Sequence, residues 1–245
     1  MKTSNKILTG LLSVILISIA AMIIYARMNT HILSGNNGSR MTQKKELQGF
    51  SKIEATTLAD IEIKYGEPMI TIEGDSAVVA AHLVEWKDSA ITIRIDPEKS
   101  FRSSQNTQIT IQTRQLDEIL LTSSGQLVTL DSFAGPNKKI TLTGSGDIRT
   151  LFSGETLEIH LLGSGLVHNI GKFESLNVKL EGSGDIELDE TQCKSGIVNL
   201  VGSGAVKVDC NENLLINLMG SGDVYYKGSP KLQANKLGSG DVFPL

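Results

Sequence analysis

Aspartates follow four of the six Gly-Ser-Gly triplets in this chain, and regularly spaced carboxylates are ligands that a calcium ion prefers. They are Asp147, Asp185, Asp223 and Asp241. Leu166 and Ala205 take the place of Asp after two triplets, so the acid column is interrupted. On stacked strands, alternate acids would be roughly 10 Å apart, too far to share one ion with ligands at about 2.3–2.6 Å. We therefore predict that these aspartates shape turns and that the chain holds no metal ion or other cofactor.

The remaining chemical side chains lack the spacing of a zinc site or a catalytic group. No two histidines have an i, i+4 spacing or a cysteine partner. They are His31, His82, His160 and His168. Charged residues expected to face outward, such as Arg149, Glu187 and Lys207, are scattered and form no acid pair of the kind that glycosidases use. We predict that the protein is not an enzyme, and a polysaccharide lyase or hydrolase on a β-helix is the alternative.

The two cysteines have matching positions relative to neighbouring triplets. Cys193 stands nine residues before Gly202, and Cys210 stands ten before Gly220. On adjacent stacked strands their Cα atoms would be about 4.8 Å apart, within the range of about 4.4–6.8 Å that a disulfide needs. This spacing is equally compatible with a disulfide and with a pair of buried free thiols.

The Gly-Ser-Gly triplets recur at intervals of 18 to 20 residues and follow a weaker copy, Ser123-Ser124-Gly125. Such a period indicates stacked turns and is too short for paired-helix repeats of about 33 residues. Each turn is predicted to consist of a strand, a glycine corner and a second strand, because glycine permits a positive φ or a close backbone approach. The corner glycines are Gly144, Gly146, Gly163, Gly165, Gly182, Gly184, Gly202, Gly204, Gly220, Gly222, Gly238 and Gly240.

Aliphatic residues recur in three columns around the corners. They lie four and two residues before the first glycine, as Ile159 and Leu161 do, and four residues after it, as Val167 does. Lys236 interrupts the second column in the last turn. The predicted fold is all-β: a single-stranded parallel β-helix, or β-solenoid, of about seven turns of 18 to 21 residues, preceded by a β-rich cap region.

Two further columns on the predicted strands are candidates for surface features. Asn199, Asn217 and Asn235 are predicted to form a structural ladder of side-chain hydrogen bonds. The residue just before the first glycine is often apolar, which would make a partner-binding stripe if exposed, although corner geometry would equally well bury it. The candidate partner surface is Leu162, Val201, Met219 and Leu237, with Tyr225 and Tyr226 near the C-terminal end.

The N-terminal part of the chain differs from the repeats. Residues 7–26 form an uncharged, mostly apolar run, long enough to span a bilayer core of about 30 Å. We predict a signal anchor or signal peptide over 1–26, a flexible tether over 27–49 and the β-solenoid over 50–245, with clear repeats from 116. A net charge of −4 and the lack of a basic, aromatic-rich run argue against nucleic-acid binding.

Several segments together resemble a known bacterial family. The opening Phe50-Ser51-Lys52-Ile53, the run Ala90-Ile91-Thr92-Ile93, the repeated Gly-Ser-Gly-Asp and the segment from Asp223 to Pro230 resemble the putative auto-transporter adhesin, head GIN domain family. The likeness covers roughly residues 50–242, and the N-terminus is similar to that of envelope-anchored members from Bacteroidota.

The resemblance implies a parallel β-helix, right-handed, displayed outside the cytoplasmic membrane. The family name implies adhesion. From the apolar N-terminal run, the repeat and the lack of a catalytic cluster, we predict binding to a protein, a glycan or a second copy of the chain, with the N-terminal helix held in the inner membrane or cleaved after export. It supplies no catalytic or binding residues. An envelope-sensing structural module is a further alternative.

Overall fold

The computed structural model describes residues 31–32, 39–100 and 107–245, which are β-strands and turns apart from one helical turn. The strands before the repeats are β1 (His31–Ile32), β2 (Arg40–Glu46), β3 (Lys52–Thr56), β4 (Asp60–Tyr65), β5 (Met69–Asp75), β6 (His82–Lys87), β7 (Ala90–Ile95), β8 (Lys99–Ser100) and β9 (Gln108–Thr113). The short helix α1 is Ser76–Val79. The predicted anchor over residues 1–26 lies outside the described residues. Within the described ranges, no helix is long and apolar enough to cross a membrane.

The repeat region continues the chain as twelve further strands. They are β10 (Glu118–Ser123), β11 (Gln126–Thr129), β12 (Phe133–Gly144), β13 (Asp147–Thr150), β14 (Phe152–Gly163), β15 (Leu166–Asn169), β16 (Gly171–Gly182), β17 (Asp185–Gly202), β18 (Ala205–Gly220), β19 (Asp223–Lys227), β20 (Lys231–Gly238) and β21 (Val242–Pro244).

Equivalent residues of successive turns pair in parallel and in register, which confirms the predicted β-solenoid. Gly163, for example, is the partner of Gly144 on one side and of Gly182 on the other. Strand segments that precede the corners form a front sheet, in the order β10, β12, β14, β16, β17, β18 and β20. Segments that follow the corners form a back sheet, in the order β11, β13, β15, β17, β18, β19 and β21. Strands β17 and β18 are long enough to run through both sheets.

The corner glycines are needed for two different reasons, as the turn at Gly163 shows. Gly163 has a φ of 137°, a conformation that an L-residue rarely adopts. A Cβ atom on Gly165 would lie only 2.1 Å from the carbonyl oxygen of Gly146 in the preceding turn. Glycine therefore fixes both the direction of the corner and the close stacking of the turns.

The three aliphatic columns form one continuous core between the sheets. Ile159, Leu161 and Val167 are fully buried, like their equivalents in the other inner turns. The column ends in the last turn, where Ala234 is exposed and Lys236 forms an ion pair with Asp241. An inward-pointing charge there is a recognised way to discourage pairing at a sheet edge.

The opposite end of the solenoid is closed by a cap in which strands reverse direction. The turn made by β3 and β4 lies between the repeats and an outer turn of β7 and β9. Strands β5 and β6 then pair antiparallel with β9 and β7. β2 pairs antiparallel with β5, so part of the predicted tether over 27–49 is a strand. The sequence of β2 shows no alternation of apolar and polar residues, because both faces of this edge strand are exposed.

Among the apolar residues of β6, only Val84 packs against the core of the cap. Trp86 is 40% exposed because β6 is an edge strand, so it does not cover the core. The buried side chains come instead from the helical turn, where Asp75 accepts a hydrogen bond from the Ala77 N–H and helps to start the helix. Val78 and Val79 then point into the core.

Candidate functional site

The outward side of the front sheet changes character halfway along the solenoid. Two patches of nine residues occupy matching positions on three turns each. The N-terminal face consists of Lys139, Thr141, Thr143, Glu158, His160, Leu162, Asn177, Lys179 and Glu181. The C-terminal face consists of Ile197, Asn199, Val201, Leu215, Asn217, Met219, Gln233, Asn235 and Leu237. Ionisable side chains occupy five positions of the N-terminal face, whereas the C-terminal face has none.

Charges on the N-terminal face are paired with one another. Lys139 Nζ lies 3.0 Å from Glu158 Oε1, and Lys179 Nζ lies 2.5 Å from Glu181 Oε1. The hydrogen bond from Lys179 holds the pKa of the Glu181 carboxyl below its ordinary value. These carboxylates are therefore partners of neighbouring lysines rather than a pair of free acids.

The predicted apolar stripe is exposed on the C-terminal face. Val201, Met219 and Leu237 are 44%, 50% and 66% exposed, and they form one column along three adjacent turns. Leu162 is 44% exposed but stands between Thr143 and Glu181 in the same column. The corner geometry therefore leaves these side chains outside, and the part of the stripe that is continuously apolar lies on the last three turns.

The asparagine ladder forms as predicted in the centre of the C-terminal face. The Nδ2 of Asn217 donates to Oδ1 of Asn199 at 2.9 Å, and Nδ2 of Asn235 donates to Oδ1 of Asn217 at the same distance. Asn217 and Asn235 each donate one amide N–H to the ladder, so each has a second N–H that the ladder does not use. The ladder therefore orders a row of uncharged donors between two columns of apolar side chains.

Two of the aspartates after the triplets, Asp185 and Asp223, bind backbone N–H groups of the next turn. Asp185 Oδ1 accepts from the Ala205 N–H at 3.0 Å, and Asp223 Oδ1 accepts from the Asp241 N–H at 2.9 Å. These contacts give the carboxylates the turn-shaping role that the sequence predicts. Across residues 39–100 and 107–245, no three His, Cys, Asp or Glu side chains are grouped so that they could hold a metal ion.

Cys193 and Cys210 are joined by a disulfide between adjacent turns, with their Cα atoms 4.9 Å apart. Both residues are buried. They lie behind Gly196, where a Cβ atom would be only 3.0 Å from Cys210 Sγ. In the neighbouring turns this column holds Leu176 and Leu214. The disulfide thus occupies core volume that a leucine fills elsewhere.

Two aromatic residues of the candidate partner surface do not join the C-terminal face. Tyr225 lies on the outward side of the back sheet, where its ring stacks on Phe243 with centroids 5.5 Å apart. Tyr226 packs against the core. The structure therefore separates both residues from the apolar stripe, because they follow the corner while the stripe precedes it.

Sequence analysis missed a second apolar column on the C-terminal face. Ile197 is 43% exposed, and Leu215 is its half-buried neighbour on the next turn. Both stand five residues before the first glycine of their triplet, so alignment of that column would have found them. Together with the stripe at Val201, they place apolar side chains on both sides of the asparagine ladder.

Solved structures share this architecture. A putative adhesin from Bacteroides fragilis is 23% identical, covers 87% of this chain and all of its own, and superposes with a TM-score of 0.81. A putative adhesin from Parabacteroides merdae (18% identity, TM-score 0.71) and a putative lipid binding protein from Parabacteroides distasonis (20%, 0.71) each cover 87% of this chain and nearly all of their own. At these identities the likeness shows the fold.

The comparison with curated proteins finds no match. A family profile, in contrast, matches residues 49–230, which include β3 to β19. That range contains the segments 50–53, 90–93 and 223–230, which contribute to the sequence resemblance. The chain therefore belongs to the putative auto-transporter adhesin, head GIN domain family.

Proposed function

We propose that this chain is a non-enzymatic, adhesin-like protein of the cell envelope that binds a partner through its C-terminal face. The observation that carries the proposal is the loss of all charge from this face, while the same positions on the N-terminal face hold paired ions. Family membership supports an adhesin-like role.

The composition of the C-terminal face suits reversible contact with another molecule. Exposed apolar side chains in a contiguous group mark interaction sites more often than scattered ones do. Met219 adds a flexible, polarisable side chain that adapts to different partners. The core beneath holds these side chains on regular strands, so little order has to be gained on binding.

The location outside the cytoplasm is supported by two features of the chain. The apolar run over residues 7–26 has the length of a signal anchor. The Cys193–Cys210 disulfide is of the kind that persists in oxidising compartments and is rare in the cytosol. In this proposal the N-terminal segment is held in, or cleaved at, the inner membrane, and the solenoid is outside the cytoplasm.

Beads coated with the full chain provide a test. We expect the beads to adhere to bacterial or epithelial cells, and a triple variant with Val201, Met219 and Leu237 changed to Ser to lose most of that adhesion. The matched control changes Thr122, Thr143 and Leu162, which occupy the same column on earlier turns, to Ser. Equal adhesion of the two triple variants would contradict the proposal, and release of new sugar ends from a polysaccharide would contradict a non-enzymatic role.

A further inference from the structure

The front sheet contains a groove of about 630 Å³ that runs along the solenoid axis. It begins beside β14 and crosses five turns to β20, a length of roughly 19 Å at about 4.8 Å per turn. One wall consists of side chains seven residues before the first glycine of each triplet. They are Thr156, Ser175, Ser195, Asn213 and Lys231. We call this feature the front groove.

The opposite wall of the front groove includes the second apolar column. It consists of Glu158, Asn177, Ile197, Leu215 and Gln233. Ile197 and Leu215 give its centre an apolar surface, while Asn177 and Gln233 offer amide groups on either side. Within the described residues, neither amide hydrogen bonds to another protein group. The groove thus has a hydroxyl- and amide-bearing wall facing a partly apolar one.

The floor of the groove is supported by the disulfide. The column between the walls is buried except in the last turn, with Leu157, Leu176 and Leu214 at 1%, 3% and 2% exposure and Leu232 at 39%. Gly196 is the central member and has no side chain, and Cys210 Sγ lies directly behind it. A covalent link between adjacent turns therefore holds the floor at the point where the column lacks a leucine.

The charge and size of the front groove restrict its ligand. Glu158 is paired with Lys139, and Lys231 lies at the open end, so the central turns present no net charge. The volume falls in the range of about 300–1,000 Å³ that is typical of small-ligand sites. A protein partner would need roughly 800 Å² on each side of a stable interface, more than a groove this narrow supplies.

We propose that the front groove binds a segment of a neutral, linear glycan. Sugar hydroxyl groups would hydrogen bond to Ser175, Asn177 and Gln233, while C–H faces of the rings would pack on Ile197 and Leu215. Because the groove runs straight across equally spaced turns, it suits a polymer with a regular repeat. An acyl chain is disfavoured because the open groove would leave one side of the chain in water, so only part of its apolar surface would be buried.

This inference rests on the proposed function and names the ligand class of a groove that shares Ile197, Leu215 and Gln233 with the C-terminal face and extends to Asn177 of the N-terminal face. The test is a titration of the full chain, kept in mild detergent, with neutral hexasaccharides of glucose, mannose, xylose and N-acetylglucosamine. Hexagalacturonate and palmitate serve as the acidic and acyl comparisons. We expect at least one neutral hexasaccharide to bind, with affinity at least tenfold higher than that of either comparison ligand.

Variants locate the binding to the groove. Ile197→Lys should weaken binding of the neutral hexasaccharide at least tenfold, because it removes an apolar contact and places a charged chain in the groove. Leu162→Lys is the matched control, since Leu162 is 44% exposed against 43% for Ile197, and it should change affinity less than twofold. Gln233→Lys on the last, exposed turn repeats the test if the first variant fails to fold.

Several results would overturn the inference. They are binding of palmitate or hexagalacturonate in preference to every neutral hexasaccharide, no binding of any neutral hexasaccharide, and equal effects of Ile197→Lys and Leu162→Lys. If one of these results is obtained and the Val201, Met219 and Leu237 triple variant still loses adhesion, the glycan proposal is wrong but the proposed function is retained. If adhesion is also unaffected by the triple variant, both are wrong.

Discussion

The N-terminal and C-terminal faces stand on the same scaffold, with matching corners, matching core columns and matching strand register. On the N-terminal face, lysines and glutamates bind each other across and along the strands. On the C-terminal face, an amide ladder runs between two apolar columns. Since the core is built alike in both halves, stacking does not require the surface difference.

We infer that the inward columns of the repeat determine the fold and that the outward columns determine what the surface binds. Inward columns and corner glycines keep their residue types from turn to turn because each must fit the same space. Outward columns have no such restriction, so a change in their residue type reflects the molecules that the surface contacts. Paired ions keep the N-terminal face hydrated, whereas an uncharged face loses less solvation free energy when a ligand covers it.

The largest effects should come from the core, and they should be equal in the two halves. Leu142 and Leu200 are fully buried equivalents. Each change to Ala should lower the free energy of unfolding by about 2–5 kcal/mol, from lost burial and the cavity left behind. Urea unfolding of both variants measures this, with the exposed Val201→Ala as the control that stays within about 0.5 kcal/mol. A much smaller loss at one leucine would show that the halves are packed differently.

Loss of the disulfide should affect the C-terminal half. Cys193 and Cys210 close a loop with a sequence separation of 17 residues. The chain-entropy estimate for a loop of this size is about 3 kcal/mol. Changing both cysteines to Ala should lower stability by about that amount and increase hydrogen exchange in β17 and β18 more than in β12 and β14. Hydrogen exchange that increases uniformly along the solenoid would contradict local stabilisation by the disulfide. Mass measurement with and without reductant checks that the bond is present.

Acid should weaken the N-terminal cap before the repeats. His82 is buried and contacts Thr57 Oγ1 at 2.9 Å and the Val78 carbonyl at 2.8 Å, and burial lowers its pKa from the ordinary 6.5. Below pH 6.5 the unfolded chain binds a proton that the folded cap does not, so stability falls as pH drops toward the folded pKa. Thermal unfolding between pH 7.5 and 5 should show this dependence. His82→Gln should reduce this dependence, and an unchanged pH dependence in that variant would contradict its assignment to His82.

Smaller effects should separate the two faces by their response to salt. Asn217→Ala removes both ladder hydrogen bonds and should cost about 1 kcal/mol, with little dependence on salt because the amides are uncharged. Lys139→Ala removes an exposed ion pair and should cost about 0–1 kcal/mol, less at high salt. Unfolding in 0.05 and 1 M NaCl measures both. A strong salt dependence for Asn217→Ala would contradict the assignment of an uncharged face.

The solenoid could be predicted from sequence because its repeat places the same residue type in the same environment many times. Glycine at the corner and aliphatic residues at fixed offsets are local signals, and stacking follows from their period. The asparagine ladder and the aspartates that bind the next turn could be predicted for the same reason. Each recurs at one offset and needs a neighbour only one turn away.

Features without a repeat could not be predicted from sequence. Strand β2 forms because its backbone pairs with β5, and no side-chain pattern records that contact. Lys138 is fully buried in the column that continues with Leu157 and Leu176, since its Nζ donates to the Leu116 carbonyl at 2.6 Å and lies 2.9 Å from Asp117 Oδ1. The front groove was not predicted, since the residue types in its two walls change from turn to turn.

We propose that ligands bind beside Ile197 and Leu215 of the C-terminal face rather than beside Leu162, the apolar residue of the N-terminal face. Methyl-resolved NMR of the full chain, titrated with the neutral hexasaccharides, tests this most directly because both faces carry methyl groups. We expect shifts for Ile197 and Leu215 that saturate together, with Leu162 unchanged. Shifts centred on Leu162, or none at the C-terminal face while a ligand binds elsewhere, would contradict it.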